Sequence, residues 1–160
     1  MTVDAANKTV LYLIGEKDYE NAKDSFIAFY DMAQRQIATT VCPIVRQMPL
    51  TESVSALPKD LFRIKSVDAT YTREGDNIIT DGKGTYTLTY YAYPKALTDG
   101  SSQLEIDPEA QSALPFYAAA QAVIADSDMR RYNAFIDSYD NILANIAATA
   151  KQGTLRVVKL

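Results

Sequence analysis

Thr85-Tyr86-Thr87-Leu88-Thr89-Tyr90-Tyr91-Ala92-Tyr93-Pro94 is the clearest β-strand in the chain. Thr and Tyr suit a pleated surface, and Pro94 stops the run. In an extended backbone successive side chains point to opposite faces. Tyr86 and Tyr90 therefore share one face, and Tyr91 and Tyr93 share the other. One face can pack on the rest of the chain. The second needs another element, a partner, or partial hydration, which tyrosine tolerates because its ring is apolar and its hydroxyl hydrates.

Working back from this strand, Asp81-Gly82 is a hairpin signal, followed by Lys83-Gly84. Ile78-Ile79 is a short strand, and Glu74-Gly75-Asp76-Asn77 is a turn. Phe62 and Ile64 alternate with Arg63 and Lys65, while Val67, Ala69 and Tyr71 carry the apolar face in the opposite phase. A phase switch of this kind predicts a bulge or a bend. The product is a small antiparallel sheet of about three strands over 60–94. Residues 46–58, bracketed by Pro49 and Pro58, read as a loop. Earlier still, Val3, Ala6, Val10 and Leu13 line one helical face, and Gly15 serves as its C-cap. Tyr19, Ala22, Phe26, Phe29, Ala33 and Ile37 form a second stripe over 18–42, with Asp18 or Asn21 as its cap and Pro43 at its end.

Working forward, residues 95–106 are a polar connection with Asp99-Gly100-Ser101-Ser102 at its tip. Asp107-Pro108-Glu109 is a helix start. Pro115 leaves two readings open: a separate first turn, or one kinked helix. Asp126-Ser127-Asp128 turns the chain. Met129, Tyr132, Phe135, Ile136, Tyr139, Ile142, Leu143 and Ile146 then form the most continuous apolar helical face in the sequence. Gly153 is expected to end that helix. Thr154–Leu160 reads as an extended tail, with Leu155 and Val157 on one face and Val158 and Leu160 on the other. Such a tail is expected to dock on this molecule or a neighbour.

The expected fold is α+β and mostly helical. It is a bundle of about four helices with a small antiparallel β-sheet insertion and a C-terminal extended tail. It forms a single domain over 1–160, divided into N-terminal helices (1–48), a β insertion (60–94), C-terminal helices (107–152) and a docking tail (153–160). With 160 residues, 48% hydrophobic and 22% charged, such a domain buries enough surface to fold without a metal or disulfide.

Composition also narrows the chemistry. There is no His, which removes the commonest proton-transfer group and metal ligand. The one cysteine, Cys42, has no imidazole to activate it and reads as a small packed thiol. Gly82-Lys83-Gly84 lacks phosphate-loop spacing and reads as a turn. Asp126 and Asp128 flank a turn between helices, where acids cap helix starts. A hydrolase or transferase using that pair is the competing enzymatic reading. No catalytic, cofactor or metal site is expected. A net charge of −4 argues against a broad basic footprint for duplex DNA. No apolar run is long enough to span a bilayer. Met1–Lys8 lacks a secretory pattern, so synthesis in the cytoplasm is the expectation. Arg130 and Arg131 open the last helix, where its dipole disfavours cations, so they are candidates for pairing with acids of this chain or of a partner.

The order of several segments resembles a known family. Leu57-Pro58-Lys59-Asp60-Leu61-Phe62-Arg63-Ile64-Lys65-Ser66-Val67 enters the sheet. Leu88-Thr89-Tyr90-Tyr91-Ala92-Tyr93-Pro94 follows, then Leu97-Thr98. Ile106-Asp107-Pro108-Glu109-Ala110, Leu114-Pro115-Phe116-Tyr117-Ala118-Ala119-Ala120 and a helix with Tyr132 and Tyr139 close the set. Over about 50–150 this order is similar to the head-to-tail adaptor (connector, or head completion) proteins of tailed bacteriophages. The resemblance implies a structural virion protein, not an enzyme, assembled in the host cytoplasm into the virion neck. It implies self-association into a ring, twelvefold in the family, beneath the portal protein. Tail or neck proteins would be its further partners, and the genome would pass without sequence-specific binding. It also implies that Thr154–Leu160 docks on the portal or a neighbour, and that loops 72–84 and 98–104 project toward tail components or the channel. Partner-interface candidates are Tyr91, Tyr93, Arg130, Arg131, Leu155, Val157, Val158 and Leu160. The alternative is a non-enzymatic module that binds one protein partner through its Tyr-rich strand.

Overall fold

The Tyr-rich segment forms the central strand of a sheet in the computed structural model. The structure describes residues 1–15, 23–124 and 127–157, with 23–25 and 151–157 as backbone only. Two compact units divide the chain: residues 43–94, and residues 1–42 together with 95–160.

Residues 43–94 form two antiparallel three-stranded sheets. Strands β1 (Ile44–Leu50) and β3 (Leu61–Val67) flank β6 (Tyr86–Ala92) in the first. Strands β2 (Val54–Ala56), β5 (Asn77–Ile79) and β4 (Thr72–Glu74) form the second, in that order. Leu50, Ile78, Leu88, Tyr90 and Ala92 make their common core, with Ile44, Met48, Leu57, Leu61, Ile64, Val67 and Tyr86 packed against it.

Two of these strands arise from 46–58, the stretch expected to be a loop. Ile44, Met48 and Leu50 do alternate along β1, but Arg46 sits among them on the inner side and Pro49 interrupts the polar side. Arg46 is accommodated because its guanidinium pairs with Asp60, which also accepts a 3.3 Å hydrogen bond from the Tyr90 hydroxyl. Pro49 is accommodated because β1 is an edge strand.

Strand β3 explains the phase switch. Its register against β6 slips between Leu61 and Arg63 and again between Ile64 and Ser66. Two bulges turn a period of two into a period of three, so Leu61, Ile64 and Val67 face inward. Phe62, expected to share a face with Ile64, is exposed instead.

The second unit is helical. Helices α1 (Val3–Ile14), α2 (Lys23–Thr40) and α5 (Met129–Val157) each pack on α4 (Leu114–Ile124). Helix α4 is apolar on nearly every side, as a central helix must be, and buries Leu114, Pro115, Ala118, Ala119, Ala120 and Val123. A separate turn, α3 (Pro108–Gln111), carries Asp107 as its cap, which resolves the ambiguity at Pro115. Thr2 and Gly15 cap α1; Gly15 has φ 77°, a left-handed conformation that glycine adopts without a Cβ penalty. The proposed caps Asp18 and Asn21, and Tyr19 and Ala22 of the second stripe, lie outside the described residues.

The connection over 95–106 is anchored to α1 and α2 by hydrogen bonds, while Thr98, Asp99, Ser101 and Gln103 are exposed. Ser102 and Gly100 carbonyls accept the first α1 amides, of Val3 and Asp4, at 3.0 and 2.9 Å. Asp31 accepts from the Leu97 amide at 3.1 Å, and buried Gln34 donates to the Lys95 carbonyl at 3.0 Å. Gln111 donates to the Leu104 and Ile106 carbonyls. Residues 72–84 form the β4–β5 hairpin and the turn into β6.

These findings correct the expected fold class. The chain is α+β, but it is not a helical bundle with one small sheet and an extended C-terminal tail. The described residues hold two sheets, and backbone that was expected to be extended is helical to Val157. Gly153 lies inside α5. An interior glycine costs only about 1 kcal/mol relative to alanine, and it stops a helix only when its backbone turns left-handed.

Tyr139 is the most buried of the described side chains of α5: it is 4% exposed, its ring centroid lies 5.3 Å from that of Tyr117, and its hydroxyl has no hydrogen-bond partner among the described residues. Burial first, then the neighbouring Tyr117 and Asp140, push its phenol up to about 12. The neutral phenol is the form the fold favours. Its contribution is complete below the ordinary tyrosine value near 10 and is lost as pH rises toward about 12. Tyr139→Phe is expected to change neutral-pH stability by less than about 1 kcal/mol, since it removes a hydroxyl that bonds nothing. It should also make the loss of stability across that alkaline window shallower, as read by denaturant unfolding at a series of pH values. An unchanged alkaline slope would show that Tyr139 is not the titrating group.

Candidate docking face

The inner side of β6 is sealed, and its outer side is not. Leu88, Tyr90 and Ala92 are buried, whereas Tyr91 is half-buried and Tyr93 is exposed. Across the register Val45 of β1 lies opposite Tyr91 and is 47% exposed. On the other flank Arg63 of β3 lies opposite Tyr91, with its guanidinium carbon 4.8 Å from the ring centroid. The Lys65 ammonium is 5.8 Å from the same ring. Phe62, extruded by the first bulge, meets Tyr93 with ring centroids 5.3 Å apart and planes tilted by 55°. Gln47 and Thr89 continue the face as a polar margin, joined by a 3.4 Å hydrogen bond.

The face therefore presents three rings, one branched aliphatic side chain and two cations. Neither Arg63 nor Lys65 has an ion-pair partner among the described residues. Asp68, near the far end of β3, is engaged: its carboxylate accepts from the Thr87 amide at 2.6 Å. At 4.8 Å the Arg63 guanidinium is within cation–π range of the Tyr91 ring, an interaction that does not use up its N–H donors for a carboxylate or phosphate.

The remaining candidates fall elsewhere. Arg131 is turned inward within the helical unit: its guanidinium donates to the Leu13 carbonyl at 3.0 Å and lies 5.8 Å from the Phe135 ring centroid. It thus satisfies an orphan carbonyl at the negative end of α1. Arg130 is exposed. Asp128 caps α5 by accepting from the Arg131 amide at 3.1 Å, and Asp126, its proposed acidic partner, lies outside the described residues. Leu155 and Val157 belong to the last turns of α5, where only backbone is described; Val158 and Leu160 lie outside the described residues. The structure thus brings Tyr91 and Tyr93 together on one surface of the 43–94 unit, and the α5 candidates belong to the other unit.

Sequence reasoning missed Val45, Phe62, Arg63 and Lys65. The available signal was the every-third-residue spacing of Leu61, Ile64 and Val67, which points to successive bulges. Among the described residues no group of three or more His, Cys, Asp or Glu converges, and no helix is long and apolar enough to cross a membrane. Cys42 is partly buried, and burial, then Asp107 and Glu109, push its thiol up, which weakens it as a nucleophile at neutral pH. The chain matches no protein-family model and no curated protein.

Proposed function

We propose that this chain is a structural virion protein, a head-to-tail adaptor that assembles as a ring beneath the portal and joins the capsid to the tail of a bacteriophage. It works by docking, not by catalysis. The observation that carries this reading is the outer face of the β1–β6–β3 sheet, where Tyr91, Tyr93, Phe62 and Val45 meet solvent together with Arg63 and Lys65. Tyrosine and arginine are the residues enriched at the energetic centres of protein interfaces. The resemblance over residues 57–67, 88–98 and 106–120 supplies the kind of assembly. The portal, the tail or neck proteins and further copies of this chain are the proposed partners. A ring rich in acidic groups would repel DNA phosphates and let a genome pass without sequence-specific contact.

Native mass spectrometry of the chain mixed with the portal protein from the same source tests this. The expected result is a portal ring carrying about one copy per portal subunit. Absence of that complex would transfer the exposed face to the second reading, a module that binds one protein partner through its Tyr-rich strand. That reading is favoured by the confinement of the whole face to the 43–94 unit.

A further inference from the structure

We infer that the outer face of the β1–β6–β3 sheet binds an acidic, extended protein segment, with Arg63 and Lys65 receiving its carboxylates and Phe62, Tyr93 and Val45 covering its apolar side chains. This deepens the proposed function and rests on reading that face as a docking surface.

Charge complementarity selects the occupant. The chain carries a net charge of −4, yet this face presents two exposed cations without acidic partners among the described residues. Both lie within cation–π range of the Tyr91 ring, at 4.8 and 5.8 Å from its centroid, which brings the two charges together over one ring. The Arg63 guanidinium is a fork of donors whose geometry matches a carboxylate. The apolar groups lie on both flanks of Tyr91: Val45 on β1, and Phe62 with Tyr93 beside β3. An extended ligand that carries acidic and apolar side chains at every second position, and so on one side of its backbone, matches a face built from strands.

Single-stranded nucleic acid is the other anion a sheet with aromatic residues can hold. Two observations count against it. The cations already occupy the Tyr91 ring, which a base would need for stacking. Two cations in an acidic protein also supply little of the phosphate neutralisation on which such binding depends.

The test is fluorescence anisotropy on the full chain with a labelled peptide of repeating Glu-Ser-Val-Ser, which puts Glu and Val on the same side of an extended backbone, and with the matching Lys-Ser-Val-Ser peptide in place of Glu. The Lys peptide and oligodeoxythymidine serve as competing probes. The Glu peptide is expected to bind, and the Lys peptide is not. Arg63→Glu combined with Lys65→Glu should weaken binding by at least about tenfold, and Arg63→Lys should retain part of it. Tyr93→Ser should weaken binding by an amount that salt changes little, because it removes apolar contact rather than charge. If the charge-reversed variant fails to fold, Arg63→Gln with Lys65→Gln gives the same reading. Peptide binding that charge reversal leaves intact would overturn the inference, as would no binding to the wild-type chain or tighter binding of oligodeoxythymidine. The portal mixture separates this inference from the function it rests on. A portal complex without peptide binding removes the acidic-segment inference alone. Peptide binding without a portal complex removes the adaptor reading and keeps the face.

Discussion

Leu88→Ala is expected to destabilise the protein by about 2–5 kcal/mol, the largest effect of any single truncation considered. Leu88 is fully buried at the middle of β6, opposite Met48 on one side and Val67 on the other. The core shared by the two sheets of the 43–94 unit is small, five buried residues with seven partly buried hydrophobic ones packed against them, so a lost Leu88 side chain removes a central part of it. Denaturant unfolding measures the loss. Hydrogen exchange locates it: amides of β1, β3 and β6 should lose protection first. A cost below about 1 kcal/mol would mean that the two sheets do not share a close-packed core.

Ala119→Leu should destabilise for the opposite reason. Ala118, Ala119 and Ala120 are all fully buried, in a helix packed by α1, α2 and α5. Small side chains are what allow three helices to approach one. Three extra carbons at that point must displace a neighbouring helix or adopt a strained rotamer, at a cost of about 1–3 kcal/mol. Ala144→Leu is the control, because Ala144 is exposed on α5 and its replacement should change stability by less than about 0.5 kcal/mol. Equal effects at the two positions would show that α4 is not the packed centre of the helical unit.

The candidate face was half legible. Tyr91 and Tyr93 fall on one side of any strand drawn through 85–93, because the side-chain period of two is a property of extended backbone alone. Their cationic and apolar companions were not legible in the same way. Arg63 and Lys65 reach Tyr91 only because two bulges reset the register of β3. Val45 joins them only because an edge position tolerates Pro49. For Arg131, an unfavourable charge at the start of α5 pointed to pairing with acids of this chain or of a partner, and the group that its guanidinium meets within the same unit is the Leu13 carbonyl.

What the sequence determined by itself was local. Apolar periodicity placed α1, α2, α4 and most of α5, Asp107 with Pro108 placed the start of α3, and the Thr–Tyr alternation placed β6. Each of these depends on neighbours within a few positions, where steric preference and side-chain spacing act directly. The tertiary structure decided the rest. It recruited 44–50 and 54–56 as strands because β6 and β5 offered hydrogen-bonding edges, a gain that no local pattern records. It carried α5 past Gly153, since propagation of a formed helix outweighs one unfavourable residue. It also assembled the candidate docking face from three strands far apart in sequence, because pairing registers, not chain neighbours, set which side chains meet.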